Sequence, residues 1–166
     1  MTIGFNHLGR HGRLGNQMFQ YAGLRGIAAH KGYDFAIPPS DFNDEWNDHQ
    51  LFEAFKLTGL TNIEQIPGPY VQEAHFHFDQ NLFDNMPDGH NVYAYLQSTK
   101  YFEHIEEEIR EDFEFKNDIH LPCKEMMNTL QDPIALHVRR GDYIQNSDNH
   151  PPCPKAVSYT HLTLPT

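Results

Sequence analysis

An α/β domain on a doubly wound parallel sheet is predicted by three observations. A strand, a glycine-rich loop and a helix follow one another near the N-terminus, a second strand comes straight after that helix, and a late apolar run, Pro133-Ile-Ala-Leu-His-Val-Arg139, leads into Gly141 as a buried parallel strand would. The first strand is read over Ile3 to Leu8, and the loop is Gly9-Arg-His-Gly-Arg-Leu-Gly15, with Asn16 placed to cap a helix. From Gln17 to His30, Met18, Tyr21, Ala22, Ala28 and Ala29 recur near helical spacing, Leu24 and Ile27 widen the stripe, and Gly32 stops it. Tyr33 to Ile37 is the second strand, ended by Pro38-Pro39, and it completes a βαβ unit with a right-handed crossover. Such a unit begins a Rossmann-like three-layer domain.

The next elements are less regular. Ser40 to Asp48 is polar and acidic and reads as a surface loop, and Gln50 to Leu57 carries a short helical pattern in Leu51, Phe52 and Phe55. Tyr70 to Phe78 and Asn91 to Leu96 alternate as strands, with Pro87-Asp88-Gly89 as a turn between them. Tyr101, Phe102, Ile105, Ile109 and Phe113 mark the apolar face of a helix, and Glu106, Glu107, Glu108, Glu111 and Asp112 read as its solvated face. A further helix is expected over Leu121 to Leu130.

Composition narrows the function classes. Hydrophobic residues at 39% and aromatics at 13% support a packed core. With 23 Asp and Glu against 12 Lys and Arg the formal charge is -11, which disfavours general binding to nucleic acid or to an anionic membrane. Any anionic ligand must then meet a local basic site, and Arg10, Arg13 and the pair Arg139-Arg140 are where arginines stand near glycines or together. Two cysteines, Cys123 and Cys153, make neither a CxxC motif nor a disulfide framework, so a reducing compartment is expected. No apolar run approaches the ~18 residues of a membrane span, and no signal peptide is evident. The expectation is a cytoplasmic protein whose membrane association, if any, is peripheral and through partners.

The chemistry concentrates in two segments. In the strand ending at Arg139, His137 and Arg139 share one face while Val138 and Arg140 share the other. A guanidinium at the carboxyl end of a parallel strand can donate two parallel bonds to a phosphate, which makes Arg139 the candidate phosphate contact. An Arg-Asp pair that pins the strand end is the alternative for Arg139, and Arg140 with Asp142 can pair across a turn. The N-terminal loop has glycines at 9, 12 and 15, which is neither the dinucleotide G-x-G-x-x-G nor a P-loop. A helix N-terminus behind glycines still favours an anion, while a tight turn with a good N-cap explains Gly15 and Asn16 equally well. The chain has 12 histidines, and His75 and His77 share a strand face, yet no third or fourth ligand spacing accompanies them. Met126 and Met127 read as core, and a nucleophilic Cys-His pair has no support beyond residue type.

Gly12-Arg-Leu-Gly-Asn-Gln-Met-Phe-Gln-Tyr-Ala22, Tyr95-Leu-Gln-Ser-Thr-Lys-Tyr-Phe102 and His137-Val-Arg-Arg-Gly-Asp-Tyr143 followed by His150-Pro-Pro-Cys153 resemble, in order and spacing, the bacterial and viral galactoside α-1,2-fucosyltransferases of glycosyltransferase family 11. The resemblance covers residues 1 to 155. It implies the N-terminal half of a GT-B type enzyme that moves L-fucose from GDP-β-L-fucose to the 2-hydroxyl of a terminal galactose in a glycan acceptor, with inversion and without a metal. In place of a cation, a guanidinium would stabilise the leaving diphosphate. By the same resemblance Arg139 meets the donor phosphate, His137, Arg140 and Asp142 complete the motif, and Gly15, Asn16 and Gln17 form the loop that faces the donor. Arg13, Tyr143 and His150 are further candidates, Arg13 because family sequences often carry a second glycine there, and His150 as part of a rigid loop beside the donor motif. The later motifs of the family are absent, so no catalytic base is assigned. The competing readings are a transferase of the same fold with another acceptor or nucleotide sugar, and a non-catalytic phosphate- or glycan-binding module.

Three segments are therefore expected: an acceptor-side domain over 1–131, the start of a GDP-fucose-binding Rossmann-like domain over 132–155, and a tail over 156–166. Val157 to Thr166 reads as a translation of the mosaic-end adaptor used to fragment DNA for sequencing, with codon 156 a hybrid, and such a tail is set aside in fold reasoning. The expectation for the polypeptide alone is no transfer activity, exposed apolar surface around Ile134 to Val138 and a tendency to aggregate.

Overall fold

The computed structural model describes residues 1–40, 50–134 and 147–148. The chain divides into a compact unit of Met1–Cys123 and a second that begins at Lys124. In the first, five strands, β1 (Thr2–Gly4), β2 (Asp34–Ile37), β3 (Asn62–Ile63), β4 (Tyr70–Gln72) and β5 (Asn91–Tyr93), form one sheet in the order β3-β2-β1-β5-β4. Every pairing is parallel, with Ile3 opposite Phe35, Gly4 opposite Asn91 and Val71 opposite Val92. The expected parallel-sheet α/β domain is present and is consistent with a Rossmann-like fold. Because every pairing is parallel, the carboxyl ends of the five strands share one edge, and strand order reverses between β1 and β5, the point at which this class of sheet leaves its binding crevice.

Helix α1 (Leu14–Lys31) lies against β1 and β2. Leu24 and Ile27 are fully buried with Ile3, Phe5, Ile37 and Val92 in the main apolar cluster. Gly32 ends the helix at φ 65°, a left-handed conformation that glycine adopts without strain, and its N–H reaches the carbonyls of Ala28 and Ala29. The start departs from expectation. The helix begins at Leu14, Arg13 holds the cap position without a side-chain cap, and Asn16 is already inside the first turn. A Cβ on Gly23 would sit 2.7 Å from the Leu96 Cβ, and one on Gly26 would collide with the Tyr101 carbonyl, so these two glycines let the 94–102 segment lie close on α1.

Both later strands are shorter than their alternation suggests, and side chains explain why. After Gln72 the N–H of Glu73 makes a last ladder bond to the Tyr93 carbonyl at 3.2 Å, but the next N–H, Ala74, turns to the Asp79 carboxylate at 3.1 Å. Past Tyr93, the N–H groups of Tyr95 and Leu96 both donate to the Glu73 carboxylate, and Leu96 takes φ 53°. The first strand likewise ends early, since the Leu8 N–H turns back to the Phe5 carbonyl at 3.0 Å. Helix α3 (Gln80–Asn85) was not legible from apolar spacing; Asp79 caps it by accepting from the Leu82 N–H at 3.0 Å.

The predicted short helix is α2 (Leu51–Ala54). The expected helix over 101–113 is two 3-10 turns, Thr99–Tyr101 and Glu103–Ile105, followed by α4 (Glu106–Asp112). Glu106, Glu107, Glu108 and Glu111 are exposed as expected, but Asp112 is not: it is fully buried. It accepts from the Tyr21 hydroxyl at 2.6 Å, the Gly59 N–H at 2.6 Å and the Thr58 hydroxyl at 3.2 Å, and pairs with Arg25. A buried carboxylate needs such partners. Helix α5 (Asn117–Asn128) contains Pro122 and buries none of its side chains, so Met126 and Met127, read as core, are about half exposed. Cys123 is a free, exposed thiol. No helix among the described residues is long and apolar enough to cross a membrane.

Candidate functional site at the carboxyl edge of the sheet

The loop after β1 is held from below by side chains. Gln20, fully buried, donates to the His11 carbonyl at 3.0 Å, and Gln17, also fully buried, accepts the Gln50 N–H at 2.8 Å. Gly12 stands at φ 87°, and a Cβ there would collide with the Asn16 side chain, so the loop's shape requires glycine at this point. Beside Gly15 the space is open, and its backbone is exposed at the sheet edge.

Asn16 carries the link that the sequence could only suggest. Its Oδ1 accepts from the Gln97 Nε2 at 2.8 Å, which ties the Gly12–Ala22 segment to the Tyr95–Phe102 segment across 81 positions of sequence. The two described motifs thus meet on one edge. His137, Arg139, Arg140, Asp142, Tyr143 and His150 lie outside the described residues.

Beside this junction opens a pocket of about 290 Å³ lined by the ends of β4 and β5, the residues that follow them, and His11. Its walls are rich in rings. His11 stands 4.9 Å from Tyr93, edge to face, and 6.0 Å from Tyr95; Phe76 lies 5.8 Å from Tyr95. His7 extends the cluster, 4.8 Å from Tyr70 and 5.4 Å from Tyr93. The His11 imidazole is held below its ordinary pKa by desolvation and, secondarily, by the neighbouring Arg10 charge, so it is neutral near pH 7. Its Nε2 is buried without a hydrogen-bond partner among the described residues.

Glu73 fixes the pocket's shape. One oxygen accepts from the N–H groups of Tyr95 and Leu96 at 3.1 and 3.3 Å, and the other from the Tyr101 hydroxyl at 3.0 Å. The Tyr101 oxygen in turn accepts the Asp79 N–H at 2.8 Å, and burial raises the phenol pKa, which keeps it a donor to Glu73. Sequence reading missed His11, Glu73, Tyr93 and Phe76 as site residues, because only the pairing of β4 with β5 brings them together. His75 and His77, expected on one strand face, follow β4 in a turn where the His75 Nδ1 meets the His77 carbonyl at 3.2 Å. Among the described residues no three His, Cys, Asp or Glu are grouped to hold a metal ion.

The chain thus presents a parallel-sheet α/β domain with a ring-lined pocket at the carboxyl edge, the edge at which folds of this class bind their ligands. The family model of Glycosyl transferase family 11 matches residues 2–152, and the chain belongs to that family. Among curated proteins it is 25% identical to galactoside alpha-(1,2)-fucosyltransferase 2 of Sus scrofa, over 83% of this chain and 42% of that protein. It is 27% identical to galactoside alpha-(1,2)-fucosyltransferase 1 of Bos taurus, over 81% of this chain and 39% of the relative. An alpha-1,2-colitosyltransferase of Escherichia coli is 24% identical over 81% of this chain and 54% of its own length. The chain spans between about two-fifths and a little over half of the length of these relatives. No solved structure matches it significantly.

Proposed function

We propose that the full-length gene product is an inverting GT-B type transferase with a three-layer Rossmann-like N-terminal domain, and that it moves L-fucose from GDP-β-L-fucose to the 2-hydroxyl of a terminal galactose. The observation that carries this reading is the Asn16–Gln97 bond, which places two family-like segments at the sheet edge where ligands of such folds bind, beside a pocket of single-sugar size.

In this reading the neutral acceptor sits on the Met1–Cys123 unit, and Gly15, Asn16 and Arg13 face the donor. Gln17, buried and bonded to Gln50, supports that loop from inside. Arg139, with His137, Arg140 and Asp142, binds the diphosphate, and its guanidinium takes up charge as GDP leaves, so the proposed reaction requires no metal. The acceptor hydroxyl proton must also leave as the new bond forms. No residue is assigned to receive it.

The test is release of GDP from GDP-fucose by the full-length gene product with lactose as acceptor. Acceptor-dependent release is expected; a non-catalytic glycan-binding module gives none. Loss of one charge-assisted contact costs roughly 1.5 to 3 kcal/mol, so Arg139→Ala should cut kcat/KM by about tenfold to a hundredfold. Arg13→Ala should weaken GDP binding, and unchanged affinity removes Arg13 from the site. A second reading, transfer of another nucleotide sugar, has one specific support: the E. coli relative is named for colitose. Substituting GDP-colitose for GDP-fucose in the same assay separates the two.

A further inference from the structure

The pocket at the ends of β4 and β5 has a chemistry of its own. Its lining, His11, Gln72 to Phe76 and Tyr93 to Tyr95, includes no lysine or arginine among the described residues. Arg10 is felt at His11, but no guanidinium or ammonium lines the wall to bond a diphosphate, and the Glu73 carboxylate disfavours one there. At about 290 Å³ the space also falls at the small end of ligand cavities, enough for one ring and too little for a nucleotide sugar.

What the pocket does offer is aromatic surface with a polar rim. Phe76 is 69% exposed and stands 5.8 Å from Tyr95, and Tyr70, about half exposed, lies against His7 in the adjoining ring cluster. Large exposed rings in a cluster beside a cavity are costly to leave in water and are the usual mark of a binding face. The Glu73 oxygens are committed to Tyr95, Leu96 and Tyr101, so the carboxylate positions the Tyr95 backbone, while Gln72 and His75 stand exposed at the rim.

We propose that this pocket is a pyranose subsite: Phe76 and Tyr95 receive the C–H face of a neutral sugar ring, and the polar groups of the rim receive its hydroxyls. A galactopyranoside suits such a platform, since its axial 4-hydroxyl leaves H3, H4 and H5 as one apolar patch on the opposite face. Resting on the proposed acceptor, this deepens that reading by giving the terminal galactose a place. The subsite lies on the same edge as the Asn16–Gln97 junction and uses none of the residues assigned to the donor.

The experiment is saturation-transfer NMR on the chain with methyl β-D-galactopyranoside. Saturable transfer strongest at H3, H4 and H5 is expected, with Phe76→Ala and Tyr95→Ala each weakening binding by about threefold to tenfold and Tyr95→Phe leaving it within about twofold. Phe76 is exposed, so its variant tests the ring without disturbing the core. In the full-length gene product, Phe76→Ala should raise the KM for lactose and leave the KM for GDP-fucose unchanged, a readout independent of how the shorter chain behaves in solution. Binding unaffected by Phe76→Ala, or displacement of the galactoside by GDP, overturns the proposal. Equal, Phe76-dependent binding of methyl β-D-glucopyranoside supports the pyranose subsite and counts against galactose as the specific acceptor. Transfer of fucose to lactose with an unchanged lactose KM in Phe76→Ala does the reverse: the subsite falls and the enzyme reading stands.

Discussion

Two carboxylates, Asp112 and Glu73, each tie together segments far apart in sequence, and the contrast between them separates stability from function in this domain. Asp112 is fully buried and bonds Tyr21 and Arg25 of α1 to the turn at Thr58 and Gly59. Glu73 is only partly buried and joins the end of β4 to Tyr95, Leu96 and Tyr101 at the sheet edge. The first hub closes the domain's interior, where every partner is another part of the same wall. The second holds a wall open, because its bonds pull the chain after Tyr93 out of strand geometry and leave rings facing a cavity. Equal chemistry gives unequal roles through location.

Asp112→Ala should have the largest effect, because it leaves the Tyr21 hydroxyl without its acceptor and the Arg25 charge with the neutral Glu108 carbonyl in place of its counter-ion. A loss of about 3 to 5 kcal/mol of stability is expected, measured by urea unfolding, and a change under about 1 kcal/mol would remove Asp112 as the interior hub. Gly26→Ala should follow at about 1 to 3 kcal/mol, since the added methyl meets the Tyr101 carbonyl; a neutral result means the 99–102 segment can move off α1. Glu73→Ala should cost about 1 to 2 kcal/mol and, unlike Asp112→Ala, should abolish saturation transfer to the galactoside while the fold persists by circular dichroism. Loss of both together would erase the contrast between the hubs.

Asp79 gives a smaller, pH-dependent effect on the Glu73 side. Backbone donors, Leu82 first and Ala74 next, hold its carboxyl below the ordinary value despite burial. A depressed carboxylate pKa means stability fully present above the unfolded value near 3.9 and lost as pH falls through the folded value. Asp79→Ala should remove that acid-limb contribution and cost about 1 kcal/mol as a lost N-cap. His11 is the smallest. Its pKa is lowered by desolvation and Arg10, so the folded state resists protonation and its contribution declines as pH falls below about 6.5. An NMR titration of the His11 ring showing an ordinary or raised midpoint would contradict the buried, neutral imidazole.

Particular elements show why some of this was legible and some was not. Helix α1 and strand β2 were readable because apolar periodicity and Gly32 act within a few residues. An acidic run looks the same in sequence whether its last member, Asp112, faces water or Arg25; only the approach of α4 to α1 distinguishes them. Strands β4 and β5 are shorter than their sequence pattern because alternation continues past the points where Glu73 and Asp79 divert the backbone. The position of Asn16 after Gly15 predicts a helix cap, but its side-chain oxygen accepts from Gln97, 81 positions away.

The sequence by itself determined the parallel α/β class, the family-like strings and the absence of a general basic surface, because periodicity, motif and charge are local or additive properties. Only the tertiary structure decided that the Asn16 and Gln97 segments share an edge, that Asp112 is interior and that a ring-lined pocket opens beside Glu73. Those outcomes depend on strand order, and strand order is settled by which apolar faces bury together.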